Sequence, residues 1–197
     1  AIAEIIHKNT GGTLVALELE KPYPENYQAT VQQVVNENDF TLFGKYSIVP
    51  SVQPTHATSD MYWAEQRLGP KRVKGAYAFN DLLKQNNWIP LGTDFPVEDI
   101  DPLKTFYAAV FRRDAKGWPE QGYQTENALT REATLRGMTI WAARSSFEEN
   151  EKGSIEKGKL ADFVLLDTDL MTATFEQVLK TTVLKTICGG ETVFNKN

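Results

Sequence analysis

The sequence predicts an α/β fold, with strand–helix–strand units in the middle of the chain and β structure toward both ends. Three observations lead there. Two short runs rich in apolar and β-branched residues, Ser47 to Gln53 and Trp88 to Thr93, end just before His56 and at Asp94. Between them lie stretches with helical spacing of apolar residues. The interval from His56 to Asp94, 94 − 56 = 38 residues, is close to the roughly 31 that one unit of a (β/α)8 barrel occupies, and such barrels carry their chemistry at the carboxyl ends of the strands.

The elements follow in order. Ile2 to His7, the turn residues Asn9-Thr10-Gly11-Gly12 and the alternating Thr13 to Glu20 predict an amino-terminal hairpin, ended by Pro22 and Pro24. Over 25–36, Tyr27, Val31, Val34 and Val35 recur at helical spacing, although Val34-Val35 reads equally as a short strand end. Ser47 to Gln53 predicts a buried strand kinked at Pro50 and closed by Pro54. Thr58 or Ser59 is placed to cap a helix through Met61, Trp63 and Leu68, which Gly69-Pro70 stops. A second helix, Tyr77 to Gln85, leads into the buried strand that delivers Asp94.

Asp101 followed by Pro102 is an N-cap with proline at the first helical position, and the helix should run to about Arg113. Gly117, Pro119 and Gly122 make 116–124 a loop. Thr130 caps a long helix whose apolar face carries Ala133, Leu135, Met138, Trp141 and Ala142. Gly153 and Gly158 then bracket turns, Ala161 to Leu166 is a strand, and Val183 to Cys188, Gly189-Gly190 and Glu191 to Phe194 form a tight hairpin. The expectation for Cys188, in a strand beside glycine, is a buried and inert thiol.

Composition narrows the function. With 197 residues and 41% apolar content the chain is globular, one domain or one domain with a small appendage. A net charge of −5, with no basic block, speaks against a nucleic-acid partner. No apolar run approaches the ~20 residues that cross a bilayer. One cysteine closes no intrachain disulfide, and two histidines cannot build a zinc cage of His and Cys. The first residue is Ala1 and no signal pattern follows it, so a cytoplasmic location is expected, with an upstream segment left open. The glycines at 153 and 158 lack nucleotide-binding spacing.

Three segments together resemble a known family. Ile48-Val49-Pro50-Ser51-Val52-Gln53-Pro54-Thr55-His56, then Leu91-Gly92-Thr93-Asp94-Phe95-Pro96-Val97, then Gly153 to Asp167 resemble the carboxyl-terminal third of a metal-dependent amidohydrolase of the family 3 branch, from about residue 34 onward. The resemblance implies partial (β/α)8 TIM-barrel units plus a small β-sandwich portion. Residues 1–24 are then a hairpin that joins the sandwich, 25–150 the last βα units, and 151–197 sandwich strands. It implies hydrolysis of an amide-type carbon–nitrogen bond in a small-molecule substrate, with divalent metal, zinc, in the complete family site. Asp94 matches the aspartate that binds metal and acts as general base; His56 matches a histidine facing the same pocket, for substrate or oxyanion contact.

The chain also departs from the family. The histidine pair near the start, the bridging lysine or acid and the two middle-strand histidines have no counterpart, and Thr30-Val31-Gln32-Gln33 stands where Glu-His-Ala-Gln is usual. A barrel of ~250 residues does not fit in this length. The expectation is therefore an incomplete carboxyl-terminal portion without a stoichiometric metal of its own, one that associates with itself or with a complementing chain; the alternative is a catalytically silent scaffold serving binding or assembly. Residue by residue, without the flanking motif, Asp94 reads as an ordinary turn or cap residue, His56 equally as a satisfied loop residue or a pocket residue, and Tyr62, Trp63 and Trp118 as packing rather than a pocket mouth.

Overall fold

A computed structural model describes residues 34–196. The predicted hairpin at 2–20, its packing on the carboxyl-terminal strands, His7 and the helical reading of 25–33 lie outside the described residues. At their edge, Val34 forms an antiparallel bridge with Ala76, the strand-end alternative for that pair.

The two expected central strands are the main correction. Each is a buried extended segment that pairs at a single residue, Val52 with Leu91, in parallel. Val52 N–H donates to Pro90 O (3.1 Å) and Gly92 N–H to Val52 O (3.0 Å). Prolines at 50, 54 and 90 remove the donors that would extend the ladder. On its other side Leu91 N–H meets a helix carbonyl, Gly137 O, at 3.0 Å, not a strand. Ile48, Val49, Val52 and Ile89 are nonetheless buried inside the chain, so these residues leave no apolar edge for a partner.

Helices supply that cover. α1 (Phe40–Lys45) packs on α4 (Phe79–Asn86), and α2 (Pro54–Asp60) packs on α5 (Pro102–Phe111). α2 begins at Pro54, ahead of the expected cap at Thr58 or Ser59, because proline suits the first helical position; His56 therefore lies in the first turn of a helix rather than in a loop. α3 (Ala64–Arg72) is interrupted at Gly69, whose φ of 75° only glycine takes without strain, and Pro70 restarts it. At α5, the Asp101 carboxylate accepts from Leu103 N–H at 2.9 Å, as the Asp-Pro pair predicts.

The long helix expected after Thr130 is two helices, α6 (Arg131–Met138) and α7 (Ile140–Ser145), broken at Thr139. Thr130 does cap it, accepting from Ala133 N–H at 3.1 Å. The break leaves the Gly137 carbonyl free to receive Leu91 N–H. It also brings the backbones so close that a Cβ on Gly137 would stand 2.6 Å from Leu91 Cγ. Gly137→Ala should therefore overpack this junction and cost about 1–3 kcal/mol of unfolding free energy, read as an earlier urea midpoint at unchanged slope.

The core has two parts. One joins Phe43, Val52, Ala57, Tyr77, Phe79, Ile89, Leu91 and Leu129; the other joins Phe106 and Tyr107 of α5 with Leu170, Ala173 and Val178, the last on α8 (Phe175–Leu179). Arg112, just past α5, is fully buried at a φ of 55°. Its Nε donates to Tyr123 O (2.9 Å), its Nη2 to Gln124 Oε1 (3.1 Å), and its guanidinium lies 4.9 Å from the Phe79 ring centre. Burial pulls its pKa down to about 10, which leaves it cationic at neutral pH.

The carboxyl-terminal strands are β1 (Phe163–Leu166), β2 (Val183–Cys188) and β3 (Glu191–Asn195), an antiparallel sheet in the order β1-β2-β3. Phe163 faces Ile187 and Cys188 faces Glu191 across it. The Gly189-Gly190 turn takes positive φ at both residues, the geometry a two-residue hairpin requires. Cys188 is exposed rather than buried, because it sits at the rim of a small sheet with little cover.

Candidate active site

Both residues nominated from the sequence meet. His56, 5% exposed in the first turn of α2, places Nε2 2.9 Å from Asp94 Oδ2, a distance that holds one proton between them. Asp94 reaches it from the segment after the Val52–Leu91 bridge, with a φ of 60°, a left-handed conformation that aspartate tolerates better than most residues. Its carbonyl then accepts from Val97 N–H (2.8 Å) and Glu98 N–H (3.3 Å), which winds the following residues into a turn.

That turn brings in a residue that sequence reasoning missed. Glu98 Oε1 accepts from Ser59 Oγ at 2.6 Å and lies 3.6 Å from His56 Nδ1. One residue further along α2, Asp60 Oδ2 accepts from Tyr77 Oη at 2.5 Å, and Tyr77 is fully buried. The only sequence signal for Glu98 was its place four residues after Asp94; an acid in a polar loop otherwise reads as surface. Among the other nominees, Trp63 packs against the core, while Tyr62 and Trp118 are exposed. Tyr62 Oη donates to Asp114, whose carboxylate also accepts from the backbone N–H groups of Lys116 and Trp118.

Burial raises the Asp60 carboxyl above its usual range and the nearby Glu98 adds to the rise; the bond from Tyr77 and the closeness of His56 pull the other way. Tyr77 is pushed up as well, by burial first and then by Asp60. The folded state thus binds the Asp60 proton more tightly than the unfolded chain does, so this group's contribution to stability falls as pH rises from the ordinary carboxyl value of 3.8 toward the raised one. Asp60→Asn keeps an acceptor for Tyr77 and cannot ionise. It should raise the melting midpoint at pH 7, with the gain shrinking as pH falls from the raised value toward 4, in a series of thermal melts.

As metal donors these residues are incomplete. His56 Nε2 and Asp94 Oδ2 are turned on each other. Among the described residues no group of three or more His, Cys, Asp or Glu side chains is disposed to hold a metal ion. A zinc centre uses three or four protein ligands. The described residues do not form one, and Asp94 would supply a single carboxylate to it.

A model of the amidohydrolase family matches residues 11–194. Protein LONG AFTER FAR-RED 3 of Arabidopsis thaliana is 39% identical over 153 residues, 77% of this chain and 26% of that protein. N-substituted formamide deformylase of Arthrobacter pascens is 31% identical over 102 residues, 52% of this chain and 18% of that protein. A crystal structure of an uncharacterized metal-dependent hydrolase from Pyrococcus horikoshii OT3 superposes with a TM-score of 0.64 and 32% identity, over 73% of this chain and 29% of that one. The chain covers 18 to 29% of the length of these relatives.

Proposed function

The chain belongs to the amidohydrolase family, and from that membership together with the His56–Asp94 pair we propose that it forms the carboxyl-terminal part of a metal-dependent hydrolase acting on amide-type carbon–nitrogen bonds of a small molecule. The observation that carries this reading is the 2.9 Å contact between two residues 38 positions apart, delivered side by side from the ends of two parallel-bridged segments. Under it, the described residues up to 150 belong to the last βα units of a barrel and those from 151 onward to strands of the flanking sandwich. The deformylase among the relatives supports an N-substituted amide as the substrate class.

The chemistry assigned to this chain is proton transfer. Hydrolysis adds water across the C–N bond: its oxygen attacks the carbonyl carbon, a proton passes to a base, and the departing nitrogen takes a proton as the bond breaks. Asp94, partly exposed at its carboxylate, is the base that accepts the first proton and returns it to the leaving amine. His56, almost fully buried, holds the Asp94 carboxylate in place through Nε2. The family's divalent metal, zinc, would take its other ligands from outside the described residues.

A second reading has its own observation. The lack of a donor cluster among the described residues favours a catalytically silent scaffold that binds or assembles. A hydrolysis assay decides between them. Release of amine from a panel of N-substituted formamides and acetamides is followed with added zinc, on the chain alone and mixed with a full-length homologue carrying a disabled aspartate. Turnover restored by the chain but not by its Asp94→Asn form supports the hydrolase; no turnover in either mixture supports the scaffold.

A further inference from the structure

Two contacts, not one, join the Asp94 segment to α2. His56 and Ser59 stand three positions apart on that helix and share a face. Asp94 and Glu98 stand four apart on a turn closed by Asp94 O. The first of each pair meets at 2.9 Å and the second at 2.6 Å. A single contact fixes a distance but leaves the helix free to roll about it. Two contacts one helical turn apart also fix orientation.

Glu98 is built to be the second point. Its backbone N–H is bonded to Asp94 O, so side chain and catalytic candidate move as one piece. The same Oε1 that holds Ser59 faces His56 Nδ1 at 3.6 Å, so the ring has a carboxylate on each side. The Ser59 hydroxyl carries one proton for two acceptors, His56 O at 3.4 Å and Glu98 Oε1 at 2.6 Å; the shorter contact takes it.

We propose that Glu98 is a positioning residue: through Ser59 it locks the last turn of α2 against the Asp94 turn, which stops the short helix from rolling and so sets the ring plane in which His56 meets Asp94. The role rests on the functional reading above, because the pair it positions is the one assigned there. It touches neither the reacting atoms nor the substrate.

The test reads the imidazole directly. The chain has two histidines, so the two-bond 1H–15N spectrum shows two ring patterns, and His7→Gln identifies that of His56. In Glu98→Ala and Ser59→Ala the His56 pattern should move toward that of an exchange-averaged, unrestrained ring, with the rest of the amide spectrum in place. Glu98→Gln keeps an oxygen for Ser59 and should keep the wild-type pattern. Ser59 is exposed and its variant removes one oxygen, so this arm stands even where Glu98→Ala does not fold. An unmoved ring in Ser59→Ala, or a Glu98→Gln pattern displaced from wild type, overturns the proposal. Asp94→Gly, which removes the acceptor and takes a φ of 60° without strain, separates the two claims. If it moves the ring while the Ser59 variant does not, the pair stands and only the role of Glu98 falls; if it does not, the pair is absent and the functional reading falls with it.

Discussion

Asp94→Asn should lower hydrolytic turnover by about 10²- to 10⁴-fold in an assembly that has it, the range lost when a positioned base is removed. Asparagine matches aspartate in size and accepts the left-handed backbone that Asp94 occupies, at a φ of 60°. It can still accept a hydrogen bond from His56 Nε2, so the fold and the 2.9 Å contact should survive. What it lacks is a site for the proton of water. The loss should therefore fall on kcat, with KM little changed. A drop confined to KM would give Asp94 a binding role instead.

The largest effect on stability is expected at Arg112. Arg112→Ala removes the donor to Tyr123 O and Gln124 Oε1 and empties a fully buried side chain from between Phe79 and Tyr123. A cavity of that kind, with a buried carbonyl left unpaired, should cost about 3 kcal/mol or more. For a chain of this size that lowers the melting midpoint by about 6–12 °C. Arg112→Met fills most of the same space and removes a cation that makes no salt bridge among the described residues, with Glu126 attracting it only at longer range. Its cost should be about half as large, because an uncompensated buried charge is itself unfavourable. Equal losses in the two variants would mean that the hydrogen bonds, not the packing, hold the 122–127 loop.

The caps were legible because they are local. Asp101-Pro102 and Thr130 start helices where the sequence places them, and the Gly189-Gly190 turn closes the hairpin expected of it. Helix against strand in the middle was legible only as burial. The runs through Val52 and Leu91 are as buried as strands, but regular pairing depends on neighbours that no local pattern records, and these segments pair at one residue each. His56 and Asp94 could be nominated because the motifs around them resemble those of a known family; their meeting is tertiary. Glu98, Asp60 and Tyr77 carried no such mark. Arg112 looked like an ordinary basic residue at a helix end, where its charge suits the helix dipole, and only the packing of the 122–127 loop over it makes it interior. Cys188 erred in the other direction: apolar neighbours suggested an interior that a three-stranded sheet does not supply.

The broken helix pair also gives the site a built-in gauge. The Leu91 amide hydrogen, three residues before Asp94, is held by Gly137 O and by nothing in its own strand. It can trade with deuterium only when α6 and α7 lift away from the segment that carries Asp94. Its exchange rate therefore measures the free energy of that one local opening, separately from global unfolding. Substitutions at Gly137 or Thr139, far along the chain from the carboxylate, should speed it, and the protection lost at a single amide reports how firmly the Asp94 segment is seated.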